Sequence, residues 1–486
     1  MSDSRLANII ETSSKDIHTQ FSEDLKSFID NLFPATDYKY ATFSFAIDAV
    51  DPLAYLEMCW KNDTYHYYWE KPVDNFAIAA GDELLNISEA EADRFKNANK
   101  RIDELEELTT EFSTVSHPHA GMIFTGGFSF FDRKSSSAWT SFKPTSLSVP
   151  KWLIIKDGKF TLATIAVSLE AFETSGALYN HLTEELTQLT SNIDINNDNN
   201  LDEADKTKIK PALQLTKNND YDHWVSAVKK AKKHIAGKDF NKIVLARHII
   251  VSHDSPISPT HIINNLRQQY SNCYNFLVHR PSGHTFLGST PERLGAFRNR
   301  LLLTEALAGS IKRGRTATED TMLERDLYSS QKNRDEHNFV IKAIEERLNS
   351  HVESIHRGSR PEIKKLSNVQ HLYTPIRAKL KKSSNILDII SQLHPTPAVG
   401  GYPWKKAKRY LNELEDFDRG WYAGPVGWLN CKGTGEFAVA IRSGLLTDTE
   451  AHFFAGCGIV ADSDPTAEWE ETNLKLKPML SALQYD

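Results

Sequence analysis

Glu468 and Glu471 stand three residues apart in the acidic segment AEWEETNLKLK near the end of the chain. On a helix, that spacing sends both carboxylates to nearly the same face, where they can reach one ion or one substrate. A hard divalent cation such as Mg²⁺ takes oxygen ligands of this kind and keeps water in its remaining positions; a solvated helix face would look the same. Glu336, in NRDEHNFV, could supply a third carboxylate with His337 as a hydrogen-bond partner, although such a cluster is also ordinary polar decoration at a helix N-terminus. Lys242 opens the apolar run KIVLARHIIV, where partial desolvation would make its amine usable as a base. Glu292 follows Gly-Ser-Thr-Pro and could present an acid from a constrained turn. Loss of a hydroxyl with addition of water needs such a pair, one group to activate water and one to protonate the departing oxygen. Their separation along the chain does not establish that they face each other, and exposed charge is the plain alternative for each.

Other residue types here suit an anionic ligand. Gly456 and Gly458 in AGCGIV would let a carboxylate approach main-chain N–H groups. Arg442 could hold it with two parallel hydrogen bonds, and Lys475, about one helical turn beyond the acidic pair, could act as a point charge. The prolines of HPTPA at 394–398 constrain the backbone, Gly400 and Gly401 permit another close turn, and His394 could meet a polar intermediate or make a structural hydrogen bond. Surface cations and a tight turn are the competing readings. No serine nucleophile elbow, Walker A loop or zinc deaminase signature is present, so simple hydrolase and nucleotide-binding readings lose ground. Cys59, Cys273, Cys431 and Cys457 form no CxxC pair; they read as small buried side chains, and a reducing cytosol is the simplest compartment.

The elements that must carry these groups are strands and helices in irregular order. The 486 residues hold 57 Lys+Arg against 64 Asp+Glu, with 40 % hydrophobic and 10 % aromatic residues, which argues against disorder and against an obvious nucleic-acid-binding protein. No secretory start and no membrane-length apolar run is seen, so a soluble protein is expected. Tyr40–Val50, Ala120–Phe130, Trp152–Ile155 and Phe160–Val167 read as strands, and Glu83–Phe112 as an exposed amphipathic helix. Residues 191–215, around NIDINNDNNLDEAD, read as a mobile loop. Trp224, Val228 and Ile235 then mark a helix face ending near Gly237, and Lys242–Val251 a strand. Residues 275–280 and 284–288 predict a hairpin, 301–307 a strand and 332–349 a helix with Phe339, Val340, Ala343, Ile344 and Leu348 buried. Three strand-like runs follow at 424–429, 436–446 and 451–460.

In this order, KIVLARH at 242–248, FLGSTPERL at 286–294, TEALAGS at 304–310, RDEHNFV at 334–340, HPTPAVGGYP at 394–403, AIRSG at 440–444 and AGCGIVADSDPTAEWEETNLKLK at 455–477 resemble the chorismate-utilising enzymes, particularly isochorismate synthases. The likeness covers about 220–484 and is looser over 1–190. It implies one large α/β (α+β) domain over 1–486, in which two antiparallel sheets pack together with helices outside. It also implies that Lys242 activates water for attack at C2 of chorismate and Glu292 protonates the hydroxyl leaving C4. Glu336, Glu468 and Glu471 would surround Mg²⁺, while Arg442, Gly456, Gly458 and Lys475 hold substrate carboxylates and His394 orients the substrate.

Ala308 stands where many aminodeoxychorismate synthases carry a nucleophilic lysine, and Leu307 in the LAGS phrase with Ala398 after HPTP is more like an isochorismate synthase than an anthranilate synthase. The resemblance therefore implies an isomerase using water. It favours menaquinone synthesis, a cytoplasmic monomer, and no nucleic-acid, membrane or obligate glutaminase partner. A salicylate synthase or a siderophore-pathway isochorismate synthase is the nearest alternative, ahead of anthranilate synthase component I or a noncatalytic chorismate-binding protein.

Overall fold

The computed structural model describes residues 23–33, 36–90, 92–132, 137–195, 214–217, 220–252, 257–365, 369–448 and 450–483. Among these residues, 21 strands join in one hydrogen-bonded network. Every pairing is antiparallel except that of Tyr40–Ile47 with Thr109–Ser113. The two halves of the chain interleave. His66–Lys71 pairs with Tyr274–His279, and Ile123–Phe128 with Pro425–Asn430.

Successive residues of a strand face opposite ways, so a strand buried on both faces feeds two cores. Tyr67 and Trp69 enter one core together with Phe276 and Val278 of the neighbouring strand, while Tyr68 and Leu277 enter the other. Helices close the second core through Leu25 and Ile29, Leu53 and Leu56, Leu178 and Leu182, Ile262 and Leu266, and Leu476 and Met479. The result is the expected layered antiparallel arrangement with helices outside. No helix among the described residues is long and apolar enough to cross a membrane.

Two sequence-based boundaries change. The segment 83–112 is helical only over Arg94–Glu107. Its start completes the strand Phe76–Ile87 against Thr145–Asp157, and its end is the strand Thr109–Ser113. Long-range pairing outweighs local periodicity here. Arg94, in the segment expected to be an exposed helix, is buried and donates to the Ser129 hydroxyl and the Phe131 and Pro144 carbonyls. In the loop expected over 191–215, residues 191–195 complete the helix Ser175–Ile195 and Gln214–Lys217 pairs with Lys242–Ser252, while 196–213 lie outside the described residues.

The expected strand over 436–446 is likewise two, Gly435–Val439 and Ser443–Leu446, interrupted at Arg442 with φ 53°. The neighbouring chain is interrupted at the same level. Thr285–Thr290 pairs with Ser443–Leu446 and Arg293–Arg298 with Gly435–Val439, which leaves Pro291 and Glu292 between. Across the double break, Val439 N–H donates to Glu292 O at 3.0 Å and Ser289 N–H to Arg442 O at 3.0 Å. A side chain at such a break is released from the alternation of a regular strand, and positive φ is an uncommon and costly conformation for a non-glycine residue.

Candidate active site

Lys242 begins the strand Lys242–Ser252, which runs along Glu450–Ile459 on one side and meets Gly401–Tyr402 on the other. Two internal charges stiffen it: Arg419 donates to Val244 O at 2.7 Å and to Glu415, whose carboxylate accepts from Ala246 N–H at 2.8 Å. Gly458 lies against the lysine stem, since a Cβ there would stand 2.7 Å from Lys242 Cε. The amine ends 2.6 Å from Glu336 Oε1. Glu336 comes from the helix Gln331–Leu348, started by the Ser330 hydroxyl accepting from Asn333 N–H and held to the Lys242 strand by Phe339 packed edge-on to Tyr402.

The helix Pro465–Ala482 carries the other acidic pair. Its start is written in the chain: the Asp464 carboxylate accepts from Thr466 and Ala467 N–H, and Pro465 occupies the first turn, where no N–H is needed. Arg247 fastens it by stacking 3.7 Å from the Trp469 ring and donating to the Thr472 hydroxyl at 2.8 Å. On this helix Glu471 accepts from Lys475 Nζ at 2.5 Å, and the same ammonium donates to Gly456 O at 2.9 Å. Arg442 donates to Lys475 O at 3.4 Å. Burial pushes the Glu471 carboxyl up, but the charges of Lys475, Arg442 and Lys242 outweigh it and hold it below its ordinary range. Glu468 moves the other way, raised by burial with Glu471 beside it. Burial also lowers the Arg442 guanidinium.

Glu292 faces this group from the double break. Burial raises its carboxyl to about 7; the Thr396 hydroxyl, donating at 3.1 Å, and the charges of Lys364 and Lys475 oppose the rise, while Glu305 adds to it. A chain of electrostatic neighbours thus links the two sequence-predicted catalytic groups: Glu292 senses Lys475, Lys475 binds Glu471, and Glu471 senses Lys242. The arrangement offers an amine, a carboxylic acid that keeps its proton near neutrality, and cations for an anionic ligand.

Leu307 and Ala308 lie in the strand Leu301–Lys312 opposite Tyr373 and Leu372, just before a bulge at Gly309. Ala398 lies in the turn where Val399 and Gly400 N–H donate to Thr396 O. Gly456 and Gly458 pair with Ala246 and Val244, and a Cβ at Gly456 would meet Leu245 O at 3.0 Å and the Tyr422 hydroxyl at 3.3 Å. The His394 ring does not join the group. It bonds to Phe130 O at 3.0 Å, and burial together with Arg94 pushes it down to about 3. His337 is likewise a buried ring bonded to the Thr374 hydroxyl at 2.8 Å.

Three residues near the group were not singled out from the sequence. Thr396, two positions after His394 in the same proline-rich phrase, is the member of that phrase that reaches Glu292. Tyr422 has its hydroxyl beside Gly456. His371 bonds to the Ser310 hydroxyl at 2.7 Å and is pushed down to about 3 by burial and by Lys475, Arg442 and Lys364, so it stands in the site as a neutral ring. Thr396 is signalled only by its place in a quoted phrase, and His371 and Tyr422 lie outside every phrase and carry no sequence signal.

The fold and this group of side chains define a chorismate-binding enzyme: a family model described as "Chorismate binding enzyme" matches residues 28–484, and the chain belongs to that family. Its relatives include isochorismate synthase MenF of Bacillus subtilis, 32 % identical over 94 % of this chain and 97 % of that protein. Another is the salicylate biosynthesis isochorismate synthase of Pseudomonas aeruginosa, 35 % identical over 90 % of this chain and 89 % of that protein. The fold is shared with the menaquinone-specific isochorismate synthase MenF of Escherichia coli, with a TM-score of 0.74 at 24 % identity, covering 95 % of this chain and 99 % of that one. It is also shared with anthranilate synthase component I of Streptococcus pneumoniae, with a TM-score of 0.66 at 21 % identity over 83 % and 92 %.

Proposed function

We propose that the protein is an isochorismate synthase that interconverts chorismate and isochorismate. The observation that carries this reading is the buried Glu292 carboxyl, held at about 7 and linked through Lys475 and Glu471 to the Lys242 amine. Lys242 takes a proton from water as its oxygen bonds to C2, the ring electrons shift, and Glu292 gives its proton to the C4 hydroxyl, which leaves as water. Atoms balance without oxidant or reductant, and reversal exchanges the two roles. Lys242 is engaged by Glu336 in the geometry described, so the base role requires that contact to open. Arg442 and Lys475 hold carboxylates of the substrate, Gly456 and Gly458 let one approach the backbone, and Leu307, Ala308 and Ala398 shape the ring pocket. For His394 the bond to Phe130 O supports orientation through the backbone of the 394–398 turn rather than through a substrate contact.

Glu336, Glu468 and Glu471 are the residues that would hold Mg²⁺. Their chemistry fits: all are hard oxygen donors, and Glu468 and Glu471 lie close enough on one helix for each carboxylate to feel the other's charge. Among the described residues no three His, Cys, Asp or Glu side chains form a ready-made set, and Glu336 and Glu471 are both occupied by lysines, so binding would require those contacts to rearrange. When bound, the ion would neutralise the carboxylates and draw the substrate's ring carboxylate to the site.

Ala308 in place of a nucleophilic lysine argues against the lysine-dependent amination and supports water as the nucleophile; a monomer without an obligate glutaminase partner is the default that goes with this reading. The MenF name of the B. subtilis relative, shared with the enzyme titled menaquinone-specific in E. coli, supports a menaquinone pathway, and four free cysteines support a reducing cytoplasm. The test is chromatography with mass spectrometry of purified protein incubated with chorismate and Mg²⁺, with parallel EDTA and ammonium samples. Isochorismate dependent on metal is expected. Salicylate with pyruvate would instead select the salicylate-forming reading, and no product in any sample would return the chain to a binding role.

A further inference from the structure

Glu292 is held from behind by two side chains that no part of the proposed reaction uses. Glu305, on the strand Leu301–Lys312, has its side chain only 3 % exposed, and Lys364, on the short strand Glu362–Lys365, donates to Glu305 Oε1 at 2.9 Å. The same carboxylate oxygen accepts from Arg293 N–H at 3.2 Å, and the same ammonium donates to Pro291 O at 3.1 Å. The ion pair therefore grips the residue before Glu292 and the residue after it, at the break where no regular strand pairing fixes the backbone. Lys364 also lies 5.2 Å from the centre of the Tyr373 ring.

A near-fully buried carboxylate is expensive to desolvate, and here both members of the pair make a further bond to the backbone that flanks Glu292. We propose that the Glu305–Lys364 ion pair is the positioning device for the acid, clamping both chain neighbours of Glu292 and setting a fixed charge pair behind its carboxyl. The proposal rests on the reading of Glu292 as the acid. The charged and titratable groups facing Glu292 are Glu305 and Lys364 from these two strands and Lys475 from the C-terminal helix, with the Thr396 hydroxyl bonded to it from the 394–398 turn. Glu305 in turn faces Tyr373 and Arg293.

The two members act on the acid in opposite senses, which separates a positioning role from a merely structural one. Glu292 works protonated, so turnover falls as pH rises through its titration. Glu305→Gln removes a negative charge and should move that alkaline limb of kcat to lower pH by roughly 1 unit. Lys364→Met removes a positive charge and should move it to higher pH by a similar amount. KM should change little in either, because neither residue touches the substrate. The assay is isochorismate formation by the full-length enzyme from pH 5 to 10, with circular dichroism as the folding control and Glu305→Asp expected to restore the wild-type limb. Should Glu305→Gln fail to fold, Lys364→Met carries the test: the replaced side chain is 25 % exposed, and the Glu305 carboxylate it leaves keeps the Arg293 N–H and the Tyr373 hydroxyl as partners. A normal wild-type enzyme whose limb stays in place in the folded variants overturns the clamp alone; absence of isochorismate from wild type overturns the reading of Glu292 and the clamp with it.

Discussion

Five carboxylates and three lysines do most of the arranging in this site, and what each can do is set by its neighbours. Lys242→Ala should lower kcat by about 100-fold or more, the usual loss for a positioned base, while leaving a folded protein; full turnover in that variant would remove Lys242 from the mechanism. Glu292→Gln should lose activity to a similar extent and gain stability at alkaline pH. The folded carboxyl titrates at about 7 and the ordinary value is 4.5, so between those limits the folded state binds the extra proton and stability falls as pH rises. Removing the group lifts a penalty on the order of 3 kcal/mol above pH 7. The melting temperature of Glu292→Gln should therefore exceed that of wild type at pH 8 and approach it at pH 5, and equal values at both would contradict a destabilising buried acid. Residue type and phrase made Lys242, Glu292, Glu336, Glu468, Glu471 and Lys475 legible beforehand. Thr396 and Lys364 were not, because hydroxyls and surface-like lysines are common and their meaning comes from one contact each.

At the scale of elements, the amine proposed as the base depends on a strand that presents no side chain to the Lys242 stem, at Gly458. Gly458→Ala would place a Cβ 2.7 Å from Lys242 Cε, and because the obstacle is a flexible stem, the lysine rather than the backbone should give way. Turnover should drop with little change in melting temperature; unaltered kinetics would mean that the lysine tip does not need this path. Two of the three proposed metal ligands stand on the helix Pro465–Ala482. Glu471→Gln should raise the Mg²⁺ concentration needed for half-maximal activity, read by titration after EDTA treatment, and an unchanged titration would move the metal elsewhere. In the sequence this helix stands only as a condition on the spacing of Glu468 and Glu471, although Asp464 and Pro465 form a local start signal within a few residues of them. The run at 436–446 misled because its alternation is continuous in sequence, while the break at Arg442 answers a break at Glu292 on a strand far away along the chain.

At the scale of the whole molecule, the site exists because the N-terminal strands are built into the same sheet as the catalytic ones. Pro425–Asn430 lies between Gly435–Val439 and Ile123–Phe128, and a Cβ at Gly427 would stand 2.0 Å from Glu436 O, a backbone atom that cannot move aside cheaply. Gly427→Ala should cost roughly 1–3 kcal/mol and lower the melting temperature in a single calorimetric transition. Two separated transitions would show that the halves fold independently. By itself, the sequence determined the local elements with strong caps and periodicity, the chemical character of the site residues and, through the ordered phrases of the C-terminal half, the family. Only the tertiary structure decided that His394 bonds to Phe130 while Thr396 meets the acid, that Lys242 sits on Glu336, and that Glu305 and Lys364 grip the turn around Glu292. Caps and periodicity act between residues a few positions apart, whereas ion pairs and burial join residues far apart in the chain and take their strength from surroundings that exist only once the sheet has closed around them.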